Sequence, residues 1–391
     1  MLKSVAGMVG GLALMGVQAA AAQGVGYYQA PAFDDQTMVF SSEGDLWRVP
    51  LSGGTAQRLT THPEVETDPV LSPDGSMIAF DASYDGPGEV YLMPVTGGAP
   101  KRLTFEGGGA EVRGWIDDSH VLFGSVNATG TVPQVLRVID INSGAIENVP
   151  LADANEAALS DDGSQLFFTR FGLSMFNDNA VLYRGGRMAQ LWRYDMGSEQ
   201  EAVRLAADFG APIRHPMYWQ DRIYFVSDKS GADNIWSMDK SGADLRQHTT
   251  SQRWLMRDPY LFDGKIAYQS GADLYVYDLA SETSDKLDIW LASDADYQRD
   301  RWIDSPLDYV ESARFAPEGE SVTLSVRGNI VRAFTGDRRR IEFAVPEGHR
   351  ARSAAMSADG KWLYAILDGG KTSDIWRFPA DGDGQGKAIV S

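Results

Sequence analysis

The sequence predicts an all-β fold, a six-bladed β-propeller followed by the first two blades of a second propeller. Two observations support this prediction. An apolar strand segment recurs with spacings of 40, 43, 45, 57 and 43 residues, its copies ending at Phe40, Phe80, Phe123, Phe168, Phe225 and Tyr268. These spacings are typical of a four-stranded blade, and the longest indicates an insertion. The 41 glycines, 10 tryptophans and 15 tyrosines also agree with many tight turns between aromatic-rich strands.

A second strand pattern follows the first within the blades and carries a large aromatic residue near its centre. Its copies are Asp45–Val49, Gln190–Tyr194, Asn234–Met238 and Asp273–Tyr277. Aromatic side chains at this position fill the space between neighbouring sheets. We therefore expect Trp47, Trp192 and Trp236 to be buried between blades, and a Trp192→Ala substitution to cost about 3 to 5 kcal/mol.

The turn before the first pattern recurs as Ser72–Gly75, Ser160–Gly163 and Ser357–Gly360. Aspartate caps such a turn and glycine supplies a positive φ, so these aspartates are interpreted as structural and not as catalytic carboxylates. Only 152–158 and 288–296 show helical propensity, and both lie where blades are connected.

Residues 1–22 are predicted to be a signal peptide. Lys3 precedes an apolar segment, Val5–Val17, and Ala20–Ala22 fit a small-residue cleavage site. An uncleaved anchor is the alternative. Either interpretation predicts an exported protein, periplasmic or secreted, and no later segment has the length of a membrane span.

The propeller is predicted to occupy residues 23–298. A charged, proline-containing linker begins at residue 299, and two further blade patterns occupy the rest of 299–391. Two blades do not close a ring. Either they join the first six as an eight-bladed ring, or they begin a second propeller of a longer protein, and the unusual linker favours the second interpretation.

Composition argues against several classes of function. A formal net charge of −19 disfavours nucleic acid as a partner, and the lack of cysteine excludes disulfides and thiolate metal sites. We expect no cofactor and no metal. The five histidines are far apart in sequence, and Asp381–Gly384 lacks the distal ligands of a calcium loop.

No catalytic residue is predicted, because no glycine-flanked serine of the hydrolase type occurs. Arg184 and Arg187 flank two glycines in the insertion of the fourth blade. They are candidates for holding the terminal carboxylate of a peptide. Ion pairing with Asp178 or Asp195 is the simpler alternative.

Several segments resemble the tricorn-type serine peptidases. They are Gly44–Pro50, Tyr183–Gly186, Arg301–Asp304 and Ser312–Gly319, together with the order of two propellers. The resemblance implies that the propellers filter or guide peptides to a serine peptidase region, whose serine and histidine lie beyond the point where this sequence ends. The chain alone is therefore expected to be inactive, with peptides or a protease catalytic region as partners and an oligomer left open.

Two other functions remain as alternatives. TolB-like propellers share the blade repeats, which would make the chain a periplasmic protein-interaction scaffold unrelated to proteolysis. A propeller enzyme acting on sugars or lactones is disfavoured, because such sites cluster histidines and carboxylates around a metal.

Overall fold

The computed structural model describes residues 26–126, 134–172, 180–252, 254–295, 302–303, 305–369 and 372–391. The predicted signal peptide, 1–22, lies outside this range. The chain divides into two compact units, Met1–Tyr297 and Gln298–Ser391. The fold class is confirmed: the described residues form four-stranded antiparallel sheets, one of which gains a fifth strand.

The first unit contains six sheets, which are the six blades. Blades 1 to 3 contain β1 (Gln29–Phe33), β2 (Thr37–Ser42), β3 (Asp45–Pro50), β4 (Gly54–Arg58), β5 (Glu66–Leu71), β6 (Met77–Ala82), β7 (Glu89–Pro94), β8 (Lys101–Arg102), β9 (Ala110–Asp117), β10 (His120–Ser125), β11 (Val135–Asp140) and β12 (Ile146–Asn148). Blades 4 to 6 contain β13 (Ala157–Leu159), β14 (Gln165–Arg170), β15 (Gln190–Asp195), β16 (Val203–Arg204), β17 (Arg214–Trp219), β18 (Arg222–Ser227), β19 (Asn234–Asp239), β20 (Arg246–Gln247), β21 (Met256–Phe262), β22 (Lys265–Ser270), β23 (Asp273–Asp278) and β24 (Thr283–Lys286).

The ring is closed by β25 (Ile289–Leu291), which pairs parallel with β4 at the outer edge of blade 1. The backbone N–H of Gly54 donates to the carbonyl of Asp288 at 2.8 Å, and the Tyr28 hydroxyl donates to the carbonyl of Ile289 at 2.8 Å. The segment 288–296, whose composition showed helical propensity, thus contains a strand. Pairing with an open sheet edge overrides this weak local preference.

Six apolar clusters hold the ring together, one between each pair of neighbouring blades. The cluster between blades 6 and 1 joins Phe40 and Trp47 to Leu274, and Leu287 and Ile289 of the closing segment complete it. Every sheet therefore has an apolar partner on each side, which is the condition for a closed propeller.

Trp47 is fully buried, as predicted, but Trp192 and Trp236 are only half-buried. The prediction for these two residues was wrong. In blade 1, Leu287 and Ile289 of the closing segment complete the apolar cluster that contains Trp47. Trp192 and Trp236 pack only in part against the clusters between their blades.

The Ser-x-Asp-Gly turns have the predicted structural role. In the turn of blade 4, the Ser160 hydroxyl donates to Asp162 Oδ1 at 2.6 Å, and Gly163 has a φ of 68°. Hydrogen bonds from the Ser160 and Ser164 hydroxyls lower the pKa of Asp162 to about 2. An aspartate with this pKa caps its turn and stays ionised, so it does not act as a proton donor.

The second unit contains two further sheets and a 3-10 turn, Pro306–Tyr309. Their strands are β26 (Val310–Phe315), β27 (Ser321–Val326), β28 (Asn329–Phe334), β29 (Ile341–Phe343), β30 (Arg350–Met356), β31 (Trp362–Asp368), β32 (Ser373–Pro379) and β33 (Lys387–Val390). Ile330 and Phe343 of the first sheet pack with Leu363 and Phe378 of the second in one apolar cluster.

A buried carboxyl lies between blades 1 and 2. Glu66 is fully buried, and it accepts hydrogen bonds from the Thr60 hydroxyl at 2.9 Å and the Tyr84 hydroxyl at 2.6 Å. Burial, assisted by the nearby charge of Asp45, raises the pKa of Glu66 to about 7. The folded chain therefore retains a proton that the unfolded chain releases near pH 4.

This difference predicts a pH dependence of stability. As the pH rises from about 4 to 7, the unfolded state loses the Glu66 proton first, so the free energy of unfolding falls. Relative to a Glu66→Gln variant, the natural chain should lose about 2 kcal/mol between pH 5.5 and pH 8. Urea unfolding at both pH values measures the loss. Glu64→Gln, which changes an exposed carboxyl two residues away, should follow the natural chain. If Glu66→Gln has the same pH dependence as the natural chain, Glu66 ionises normally.

Candidate functional site

The central channel of the six-bladed ring is the candidate functional site. The first strands of the blades, β1, β5, β9, β13, β17 and β21, contact one another in a closed ring. They surround a cavity of about 170 Å³, and every blade contributes to its lining. The acidic, basic and histidine residues of this lining are Asp68, Arg113, Glu156, His215 and Asp258.

A local backbone feature recurs around the channel. In four blades the lining contains a residue followed by proline, at Ala30-Pro31, Asp68-Pro69, His215-Pro216 and Asp258-Pro259. The residue before each proline has a positive φ, between 45° and 52°, and the pairing register of each of these four strands shifts at this point. Such a β-bulge redirects a side chain. Backbone strain of this kind costs about 1 to 3 kcal/mol per residue and is common at functional sites.

Our sequence reasoning missed these channel residues. The signal was present, since a residue-proline pair recurs at the start of four blades. Proline is unfavourable inside a strand unless the strand is at an edge or bulged. A recurring proline in the first strand therefore indicates a bulge facing the axis.

Glu156 and His215 connect blades 4 and 5 across the channel wall. His215 Nδ1 lies 3.2 Å from Glu156 Oε1, and the His215 backbone N–H donates to Glu156 Oε2 at 3.0 Å. Burial alone would raise the pKa of Glu156. The charge and the backbone N–H of His215 outweigh this effect of burial and hold the pKa of Glu156 below its usual range. The charges of Arg113 and Arg214 contribute in the same direction.

Arg113 is the fixed cation of the channel. Its Nε donates to the carbonyl of Asn155 at 3.0 Å, its Nη2 donates to Gln134 Oε1 at 3.2 Å, and it pairs with Glu111. These contacts hold the guanidinium between blades 3 and 4. The channel wall is therefore a built network of charges and not a flexible surface.

A wider cavity of about 490 Å³ shares Ala30, Asp68, Arg113 and Asp258 with the channel lining. It adds the carboxyls of Asp81 and Glu111. Burial, followed by the charge of Asp68, raises the pKa of Asp81 well above its usual range. This shift favours the neutral form of Asp81, but Asp68, Glu111 and Asp258 still outnumber Arg113 in the wider cavity. We call this wider cavity the channel mouth, and its charge favours cations.

The structure brings one serine and one histidine together, away from the channel. His248 Nε2 lies 2.7 Å from Ser237 Oγ in blade 5. Ser237 is fully buried, and Arg222 also donates to its hydroxyl through Nε at 3.2 Å and Nη2 at 2.9 Å. A substrate does not reach a hydroxyl in this position, so the pair is structural.

The two arginines proposed from the sequence lie outside the channel lining. Arg184 Nη1 is 2.9 Å from Oδ1 of the fully buried Asp228, a different aspartate from those suggested by the sequence. Asp178 is not among the described residues, and Asp195 lies 3.5 Å from Arg193. Arg187 is exposed, and its backbone N–H donates to the Tyr183 hydroxyl at 3.3 Å. Their proposed role in peptide binding stays a prediction.

The described residues contain neither a metal-ligand cluster nor a membrane-spanning helix. No cluster of three or more potential metal-ligating histidine, aspartate or glutamate side chains occurs among them. No helix among them has the length and apolar character needed to cross a membrane.

Comparison with known proteins assigns the fold to a family. The profile described as "Tricorn protease N-terminal beta propeller domain" matches residues 25–283. The chain belongs to the tricorn protease family. The tricorn match ends at the first residue of β24, so it includes the first three strands of every blade and the channel lining.

Two tricorn relatives and one solved structure illustrate the extent of the similarity. Tricorn protease homolog 1 of Streptomyces coelicolor is 31% identical over 268 residues, 68% of this chain and 25% of the relative. A protein of Sulfurisphaera tokodaii, named as a tricorn-like protease N-terminal subunit, is 32% identical over 145 residues, 35% of this chain and 72% of the relative. The crystal structure of the tricorn protease matches 94% of this chain and 35% of its own length, with a TM-score of 0.66 and 20% identity. The chain thus spans about a quarter of the Streptomyces relative.

Proposed function

We propose that the six-bladed ring admits peptides to its central channel and guides them for a tricorn-type serine peptidase region. The observation that carries the proposal is the channel itself, lined by all six blades and held in shape by half-buried charge networks. Family membership supports the proteolytic context. The name of the Sulfurisphaera relative supports a propeller chain acting as one subunit of a protease. Export through the segment 1–22 is part of the proposal.

The charge of the mouth suggests which peptides enter. Asp68 is exposed at the channel, and the wider cavity adds the carboxyl of Glu111. Coulomb attraction across partly solvated surfaces is modest, on the order of 1 kcal/mol per close pair in water. Peptides bearing lysine should therefore bind more tightly than otherwise identical peptides bearing glutamate, and added salt should reduce the difference.

Fluorescence anisotropy with a labelled octapeptide of alanine and lysine tests the proposal. Asp68→Asn should weaken binding about threefold to tenfold, because it removes a carboxylate at the mouth. Asparagine also tolerates the positive φ of this position. Asp85→Asn, at a carboxyl whose side chain is 72% exposed outside the channel lining, should bind like the natural chain. Equal affinity in all three proteins, or no dependence on salt, would contradict a channel that selects by charge. Mass spectrometry of the same mixtures should show the peptide intact.

A further inference from the structure

A second cavity lies at the outer part of blade 4, away from the channel. Its volume is about 580 Å³. It is lined by the connection 150–153, by β14 and β15, and by the hairpin 198–202. The outer strand β16 is only two residues long, which leaves this cavity uncovered.

Three polar side chains of this lining have atoms that are buried without a hydrogen-bond partner among the described residues. They are Asp153 Oδ1, Arg170 Nε and Trp192 Nε1. Asp153 is 5% exposed, and its other oxygen, Oδ2, lies 3.8 Å from Arg170 Nε, which is too long for a hydrogen bond. Buried polar groups are almost always paired, because each unpaired group costs about 1 to 3 kcal/mol. A ligand that supplies both a donor and an acceptor would pair these groups.

The positions of these groups are fixed by their neighbours. The guanidinium of Arg170 stacks over the Trp192 ring, with Cζ 4.9 Å from the ring centroid. The Tyr194 hydroxyl donates to the carbonyl of Ser198 at 2.8 Å and holds the hairpin that carries Glu199 and Glu201. The cavity is thus a formed site with a defined set of hydrogen-bonding groups.

The chemistry of the lining defines the ligand. Asp153 needs a donor, whereas the N–H groups of Arg170 and Trp192 need an acceptor. A peptide unit carries one N–H and one C=O, and so provides both. Asp153, Glu199 and Glu201 outnumber the single cation Arg170 in the lining. A basic side chain next to the peptide unit complements this charge, with its alkyl stem against Leu151 and Phe168.

We propose that this cavity of blade 4 is a second peptide site, which binds a short segment containing a lysine or arginine. This site and the proposed channel both bind peptides, but they are lined by different residues. It would hold a peptide or a protein tail on the outside of the ring.

The test uses the full chain labelled with nitrogen-15 in its tryptophan indoles, titrated with acetyl-Gly-Lys-Gly-amide. The indole N–H signal of Trp192 is assigned by its loss in Trp192→Phe. We expect this signal to shift in a saturable manner with the lysine peptide and not with acetyl-Gly-Glu-Gly-amide. Asp153→Asn should weaken the interaction at least tenfold, as expected for loss of a buried charged partner.

Control variants keep the result interpretable. Glu199→Gln and Glu201→Gln alter exposed side chains, so they should fold normally while weakening the interaction about twofold to fivefold. Asp68→Asn should leave the Trp192 response unchanged, which separates this site from the channel. The second site is overturned if the Trp192 signal does not move. It is also overturned if the signal responds equally in the natural chain, in Asp153→Asn and in both glutamate variants. Either outcome leaves the channel proposal intact. A Trp192 response that is lost in Asp68→Asn overturns it as well, because the peptide is then bound through the channel.

Discussion

A chain that ends at Lys286, before β25, is expected to be at least about 3 kcal/mol less stable than one that ends at Tyr297. The shorter chain loses Leu287 and Ile289, which are both buried between blades 6 and 1. Each buried aliphatic side chain of this size contributes about 1.5 to 3 kcal/mol. The longer chain retains all six blades and the closing strand, and should unfold in one cooperative transition.

Urea unfolding of the two truncated chains measures the difference. The shorter chain should also tend to aggregate, because the edge of β4 loses its parallel partner. A point substitution gives an independent check. Ile289→Ala should cost about 2 to 5 kcal/mol, whereas Trp290→Ala, at a side chain that is 41% exposed on the same strand, should cost less. Equal stability of the two truncated chains would mean that β25 does not close the ring.

Replacing Trp47 by alanine is expected to lower the free energy of unfolding by about 3 to 5 kcal/mol. The indole is fully buried in the cluster between blades 1 and 6, and its Nε1 donates to the carbonyl of Ser42 at 2.8 Å. Alanine leaves a cavity and an unpaired carbonyl. Thermal or urea unfolding checks the value, with Trp302→Ala as control, since the Trp302 side chain is 97% exposed. A loss below about 1 kcal/mol would show that the surrounding sheets collapse into the space.

The comparison of Trp47 with Trp192 shows what the repeat pattern predicts and what it omits. The pattern places both residues at the same position of one recurring strand, and in the structure this is the third strand of the blade. Burial depends on more than strand position. Trp47 is covered by the closing segment, which is remote in sequence, while Trp192 lies beside a two-residue outer strand and a cavity. A local pattern contains no information on such coverage.

Ring closure also depends on contacts between residues that are far apart in sequence. The six blades are predictable because each is a continuous repeat of local strands and turns. The pairing of β25 with β4 joins residues more than 230 positions apart, and the segment itself has no strand pattern. Long-range pairing of this kind is decided by the open edge that blade 1 presents.

The channel was predictable only in part. The propeller fold implies an axial channel, and recurrent proline after Asp68, His215 and Asp258 was visible in the sequence. The pairing of Glu156 with His215 was not, because it depends on how neighbouring blades approach one another. Arg184 and Arg187 were chosen by local sequence; neither belongs to the channel lining, and Arg184 pairs with Asp228.

Thiol protection measures channel occupancy most directly, because the chain contains no cysteine and a single introduced one reports its own site. Ala157→Cys places a thiol in the channel lining, and Ser281→Cys places one on an exposed hairpin of blade 6. We predict that the alanine-lysine octapeptide slows alkylation by iodoacetamide at least threefold at position 157 and leaves the rate at position 281 unchanged. Unchanged alkylation at position 157 under saturating peptide would contradict the proposal that peptides occupy the channel.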